Sequence, residues 1–306
     1  MRLTGATKPL FLLGVALLIT SAGCGKSQTS SEPVTAHPWF EEVGSNLGID
    51  FQHRSGATGE LLFPEIMSGG VALFDADRDG DLDLFLVHGI YGPDDPPGEL
   101  WRNDGTRFVR VEDYLPSAPR NRTTDPTISA IRYGMGVAVG DVDRDGDLDL
   151  FVTSTGQDTL LRNEIPSAPD DRTTGLIRFI DITESAGVGG GDAWSSSAGF
   201  FDADGDHDLD LFVTRYVRWT RDSDLDCTTP SGAADYCSPL SYAAPLPDRL
   251  YRNDGIDSGR PVLREISREA GLRTAFGNGL GLTFLDLDGD DDLDVFVAND
   301  QTPDQL

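Results

Sequence analysis

The sequence predicts an all-β fold, and three observations predict it. The phrase Asp75-Ala76-Asp77-Arg78-Asp79-Gly80-Asp81-Leu82-Asp83 recurs in the same frame at Asp141–Asp149, Asp202–Asp210 and Asp286–Asp294. Each copy is followed by a short run rich in β-branched and aromatic residues, such as Leu84-Phe85-Leu86-Val87 and Leu211-Phe212-Val213-Thr214, which reads as a buried strand. Strand-like runs also precede the loops, as in Gly70-Val71-Ala72-Leu73-Phe74 and Gly136-Val137-Ala138-Val139, and the 35 glycines suit a turn-rich β chain. Each acidic loop is therefore expected to join two adjacent strands.

Carboxylates crowded at alternate positions repel one another unless a cation sits among them. A hard cation with six to eight oxygen ligands at about 2.3 to 2.6 Å fits, which means Ca2+. The candidate ligands are Asp75, Asp77, Asp79, Asp81 and Asp83; Asp141, Asp143, Asp145, Asp147 and Asp149; Asp202, Asp204, Asp206, Asp208 and Asp210; and Asp286, Asp288, Asp290, Asp292 and Asp294. Within each loop the side chains at positions 1, 3, 5 and 9 and the backbone carbonyl at position 7 are the expected donors. A plain Asp-Gly hairpin turn would need no carboxylate at every other position. An EF-hand needs a Glu at position 12 and a following helix, whereas position 12 is Leu86, Val152, Val213 and Val297. About four structural calcium sites are expected. Position 6 needs a residue at ease with positive φ; Gly80 and Gly146 supply it, while His207 and Asp291 fill it at a cost, which predicts weaker binding there.

Taken in order, residues 1–23 read as a signal peptide: a basic start, an apolar run from Leu10 to Thr20 too short to span a bilayer comfortably, then Ser21-Ala22-Gly23. With Cys24 that end resembles a bacterial lipoprotein box, in which Cys24 would be lipidated. Residues 24–38 read as a flexible tether and residues 39–306 as the folded part. Residues 39–49 match the ends of later repeats, Phe179-Ile180-Asp181-Ile182 with Ala186-Gly187-Val188, and are expected to form an outer strand that clasps another blade. Repeats are expected at about 70–113, 136–183, 198–267 and 280–306. The longer third spacing marks an insertion at 220–247, which holds Cys227 and Cys237. A disulfide is the favoured reading in an exported protein, with free thiols or a metal pair as alternatives. Tyr216, Trp219, Tyr236 and Tyr242 form a candidate binding surface there; the alternative is that they pack the loop onto its own blade.

These loops resemble FG-GAP and VCBS repeats. More closely, Pro64-Glu65-Ile66-Met67-Ser68-Gly69-Gly70, the Leu-x-Arg-Asn phrases and Tyr216-Val217-Arg218-Trp219 resemble the cartilage acidic protein family and its bacterial relatives, which usually carry an ASPIC/UnbV segment. The resemblance implies a β-propeller of four-stranded blades, incomplete in this chain because the fourth repeat stops at Leu306, where Leu100 and Leu250 begin third strands; an N-terminal fragment is expected.

The net charge of -28 argues against nucleic acid or an anionic membrane surface as a partner, leaving a lipid anchor as the expected membrane contact. No nucleophile motif appears, the four histidines lie in unrelated contexts, and Asn121-Arg122-Thr123 is a glycosylation pattern of little meaning in a bacterial lipoprotein. The expected role is an envelope-anchored extracytoplasmic module, more binding than catalytic, for an extracellular protein or glycan. The alternative is a propeller-based, calcium-dependent polysaccharide lyase or hydrolase.

Overall fold

The computed structural model describes residues 40–92, 95–115, 132–165, 177–189, 191, 193–272 and 276–306. The chain divides into two units, Met1–Glu41 and Glu42–Leu306; only Phe40 and Glu41 of the first are described, and the architecture below is that of the second. The expectations for the signal peptide, Cys24, the tether and Asn121–Thr123 lie outside the described residues.

Each acidic loop joins two antiparallel strands. In the first blade β1 (Val71–Phe74), β2 (Asp83–Val87), β3 (Gly98–Asn103) and β4 (Phe108–Val111) pair in chain order. The second blade repeats the meander with β5 (Gly134–Gly140), β6 (Asp149–Gly156), β7 (Thr159–Asn163) and β8 (Phe179–Asp181). The third uses β9 (Ala193–Phe201) and β10 (Asp210–Arg215), then an insertion with the short hairpin β11 (Cys227–Thr228) and β12 (Ala234–Asp235) and the helical turn α1 (Pro239–Tyr242). It resumes with β13 (Arg249–Asp257) and β14 (Arg260–Glu265), and β15 (Gly279–Leu285) and β16 (Asp294–Asn299) form a further pair. The fold is thus all-β, an incomplete propeller of four-stranded blades.

The period-2 alternation of strands builds the core between blades rather than within them. On β6, Leu150 and Val152 pack toward the first blade with Phe85, Leu100 and Phe179, while Phe151 on the other face joins Leu160, Leu211 and Val213 toward the third. On β10, Phe212 faces Phe284 and Val297 of the last pair. Strands buried on both faces must be apolar throughout, which is why the post-loop runs read as continuous rather than alternating. The first strands also crowd together: a Cβ on Gly70 would sit 2.8 Å from the Gly136 Cα, and one on Gly136 would sit 2.9 Å from the Ser196 carbonyl oxygen.

Residues 40–49 contain no strand, against expectation. Residues 44–48 form a helical turn whose Leu47 carbonyl accepts the Phe108 N–H at 2.7 Å, at the head of β4. The likeness to later repeat ends is real but belongs to the turn: Tyr114 and Ala186 carbonyls likewise receive the N–H groups of Phe179 and Leu263, at 2.7 and 3.1 Å. These three segments thus each dock on the following outer strand through one carbonyl, with Gly48 and Gly187 at φ 87° and 81° turning the chain.

Candidate metal centres

Alternating Asp side chains fold each loop back on itself. The position-1 carboxylate accepts N–H groups from within its own loop: Asp75 from Asp79 and Gly80 at 3.1 and 3.0 Å, Asp141 from Gly146 at 3.0 Å, Asp202 from Gly205 and His207 at 2.8 and 3.1 Å. Such tight winding requires two left-handed residues per loop, at positions 4 and 6. The loops meet it in two ways. Arg78 and Arg144 take φ 60° at position 4 with Gly80 and Gly146 at position 6, whereas Gly205 and Gly289 stand at position 4 with His207 and Asp291 at φ 72° and 73°.

The result is a gathered oxygen cluster in every loop. Asp75, Asp77 and Asp83 each bring a carboxylate oxygen within 4.8 Å of the others, as do Asp141, Asp143 and Asp149, then Asp202, Asp204 and Asp206, and Asp286, Asp288 and Asp290. Position 9 joins the cluster in the first two loops and position 5 in the last two. Asp79, Asp145, Asp210 and Asp294 stand outside their clusters, and so do the position-7 side chains Asp81, Asp147, Asp208 and Asp292. For two of these the reason is visible: Asp147 lies 2.6 Å from Arg78 Nε and Asp208 lies 2.6 Å from Arg144 Nε, so an arginine of the preceding loop takes the carboxylate. His207 is exposed, with Nδ1 3.6 Å from Asp202.

Position 9 has a second task that the sequence reading missed. Asp83, Asp149 and Asp210 each bridge their loop's position-2 N–H, at 2.8 to 2.9 Å, to the backbone N–H of Asn103, Asn163 and Asn253, at 2.8 Å in every case. Those asparagines end the Leu-x-Arg-Asn phrases. Two of them reach on to the preceding loop, Asn163 Nδ2 to the Ala76 carbonyl at 2.8 Å and Asn253 Nδ2 to the Val142 carbonyl at 2.9 Å. The recurrence of Asn at that point in the repeat was the available signal.

The donor set fits a hard cation. Asp141 Oδ1 is buried with no hydrogen-bond partner among the described residues, an acceptor that a cation would satisfy. Burial pushes Asp83 up to about 6 and Asp149 up to about 8; it also raises Asp77 and Asp143, with the charges of Asp79 and Asp145 adding to it. Carboxylates strained in this way gain most from a positive charge in their midst.

Of the two readings of the aromatic residues in and beside the insertion, the burial agrees with packing. Tyr216 and Trp219 are buried with Phe63, Tyr133, Met135 and Trp194 in an apolar cluster, while Tyr236 and Tyr242 are half-buried. Their polar tips are spent on fastening, Trp219 Nε1 and Tyr242 OH on Asp224 at 2.7 and 2.6 Å, Tyr216 OH on Asp300 at 2.7 Å, and Tyr236 OH on Glu65 at 3.1 Å. Cys227 and Cys237 are joined as a disulfide across the β11–β12 hairpin.

Residues 75–152, from the first residue of one acidic loop to the strand after the next, match the FG-GAP-like repeat family model. The match covers one full repeat period, and with the fold it defines a propeller-type repeat protein. No curated protein matches the chain.

Proposed function

We propose that this chain is a calcium-stabilised propeller module, exported and held at a bacterial envelope by a lipid on Cys24, that binds an extracellular protein or glycan. The finer kinship proposed is with the cartilage acidic protein relatives that carry ASPIC/UnbV segments. The observation that carries the calcium reading is the buried, unpartnered Asp141 Oδ1 within the Asp141, Asp143 and Asp149 cluster. Asp75, Asp77 and Asp83, and Asp141, Asp143 and Asp149, would hold the ions of the first two loops, and Asp202, Asp204 and Asp206, and Asp286, Asp288 and Asp290, those of the last two. Bound there, calcium supplies a positive charge that lets close carboxylates ionise together and pins the loop between two strands.

A structural role is favoured over a catalytic one by where the arginines go. Arg78 and Arg144 are committed to neighbouring loops, so these two cations knit loops together rather than line an open cleft. The test is calcium calorimetry on the chain lacking residues 1–23, with thermal melts with and without chelator. About four sites and a large fall in melting temperature on chelation are expected; one or two sites with an unchanged melt would overturn the reading.

A further inference from the structure

A chain with 52 acidic residues nonetheless turns three arginines into one pocket. The pocket, of about 490 Å3, lies at the end of β10 away from the acidic loop and is lined by Arg215, Arg218, Asp248, Arg249, Glu265 and Phe276. β10 begins at Asp210, beside the loop, and ends at Arg215, so the two sites stand a strand length apart.

The pocket's carboxylates are engaged while its cations are under-used. Asp248 Oδ1 accepts the backbone N–H of Arg215 at 2.8 Å, and Glu265 Oε1 accepts the Ser267 hydroxyl at 3.1 Å. The half-buried Arg215 guanidinium has one long contact, Nη1 to the Pro247 carbonyl at 3.5 Å, and forms no ion pair among the described residues. Arg249 donates through Nη1 to Tyr251 OH at 3.0 Å, and its Nε is 3.9 Å from Glu265. The Nε atoms of both Arg215 and Arg249 are buried without a hydrogen-bond partner among the described residues. Burial, with Arg249 close by, lowers Arg215 to about 10, against the pull of Asp158 and Glu265. A guanidinium removed from water is costly unless an anion faces it.

The remaining lining selects the anion. Asp248 and Glu265 would repel a multiply charged group such as phosphate, yet both can accept from hydroxyls. Leu246 and Pro247 give an apolar wall, and Phe276, 54% exposed, offers a ring face. A singly charged, hydroxylated ring answers all three features. We infer that the pocket takes the carboxylate of an acidic sugar, a hexuronate residue, against Arg215, Arg218 and Arg249, with the sugar hydroxyls on Asp248 and Glu265. This rests on the glycan branch of the function proposed above and names its ligand class.

The experiment is isothermal titration of the full chain, in calcium buffer, with a hexuronate trisaccharide, the neutral hexose trisaccharide of the same linkage, and sodium phosphate. Saturable binding of the acidic sugar is expected, with the other two at least about tenfold weaker. Arg218→Ala, at an exposed position, should weaken it about tenfold or more with an unchanged melt, and Arg215→Gln should do the same. Equal binding of the neutral sugar would leave a glycan module standing and remove this assignment; tighter phosphate binding would remove it too. Hexuronate binding untouched by both substitutions would place the site elsewhere, and no binding by folded, calcium-responsive protein would overturn the inference while sparing the calcium reading.

Discussion

Arg78 in the first acidic loop is bound into the second, its Nε 2.6 Å from Asp147 Oδ1. The same side chain donates to the carbonyls of Asp145 and Gly146 at 2.7 and 2.9 Å. Arg144 repeats the reach into the third loop, onto Asp208 and the His207 carbonyl. Position 4 of the third loop is Gly205, so the chain of arginine clamps stops there. One residue thus serves two ends: it accepts a left-handed backbone in its own loop and neutralises a carboxylate in the next.

Removing the clamp should loosen the second loop. Arg78→Ala is expected to cost about 1 to 2 kcal/mol in urea unfolding, since a partly buried, charge-assisted contact is lost. Arg78→Lys should recover little of it, because one ammonium nitrogen cannot stand where Nε and Nη2 of the planar fork both donate. Recovery to wild-type stability by lysine would show that charge alone matters.

The exchange of glycine between positions 4 and 6 predicts opposite responses in different loops. Gly146→Ala should destabilise by about 1 to 2 kcal/mol, since it would place a second Cβ-bearing residue in the left-handed region of that loop. His207→Gly should be neutral or stabilising by up to about 1 kcal/mol, as relief of strain outweighs the added freedom of the unfolded chain. Thermal melts in chelator read both without interference from the metal.

Calcium binding should fall one site at a time. Asp141→Asn removes a charge from the second cluster and should delete one site from the calorimetric count while leaving the others. At free calcium a hundredfold above the dissociation constant, each lost site should remove about 2.7 kcal/mol of stabilisation. An unchanged count would mean that the second cluster holds no ion.

Asp158 predicts a pH dependence away from the metal loops. It is buried between the second and third blades, accepting the Ser154 N–H at 2.9 Å and the Ser195 hydroxyl at 2.8 Å. Burial pushes it up to about 7 from an ordinary 3.8, against the pull of those hydrogen bonds and of Arg249 and Arg215. The folded state therefore binds the proton more tightly than the unfolded chain does. Its contribution to stability is full below about 4 and is lost as pH rises through about 7. Compared with wild type, Asp158→Asn should show a shallower fall in stability across that window; parallel curves would refute the assignment.

The acidic loops and the strands around them were legible because their signals are local. Alternate carboxylates, a position-8 leucine and a β-rich run sit within about a dozen residues of one another, and a strand buried on both faces must show them in any context. The requirement at position 6 was legible for the same reason, and His207 and Asp291 do take positive φ. The matching demand at position 4 was hidden, since an arginine there reads as a surface charge until its partner loop is seen. The aromatic residues stayed open between two readings because Trp219 and Tyr242 beside a loop read alike whether they face solvent or bury themselves against Phe63.

The sequence by itself determined the repeat, the strand pairs and the oxygen-rich loops, because backbone sterics, side-chain alternation and charge repulsion act over a few neighbouring residues. Only the tertiary structure decided which carboxylates gather, that Asp147 and Asp208 belong to the arginines of preceding loops, and that Arg215 and Arg249, far apart in the chain, open into one pocket. Those outcomes depend on how one blade is set against the next, and that is fixed by packing among residues from different repeats, such as Leu150 against Phe85 and Phe151 against Leu211.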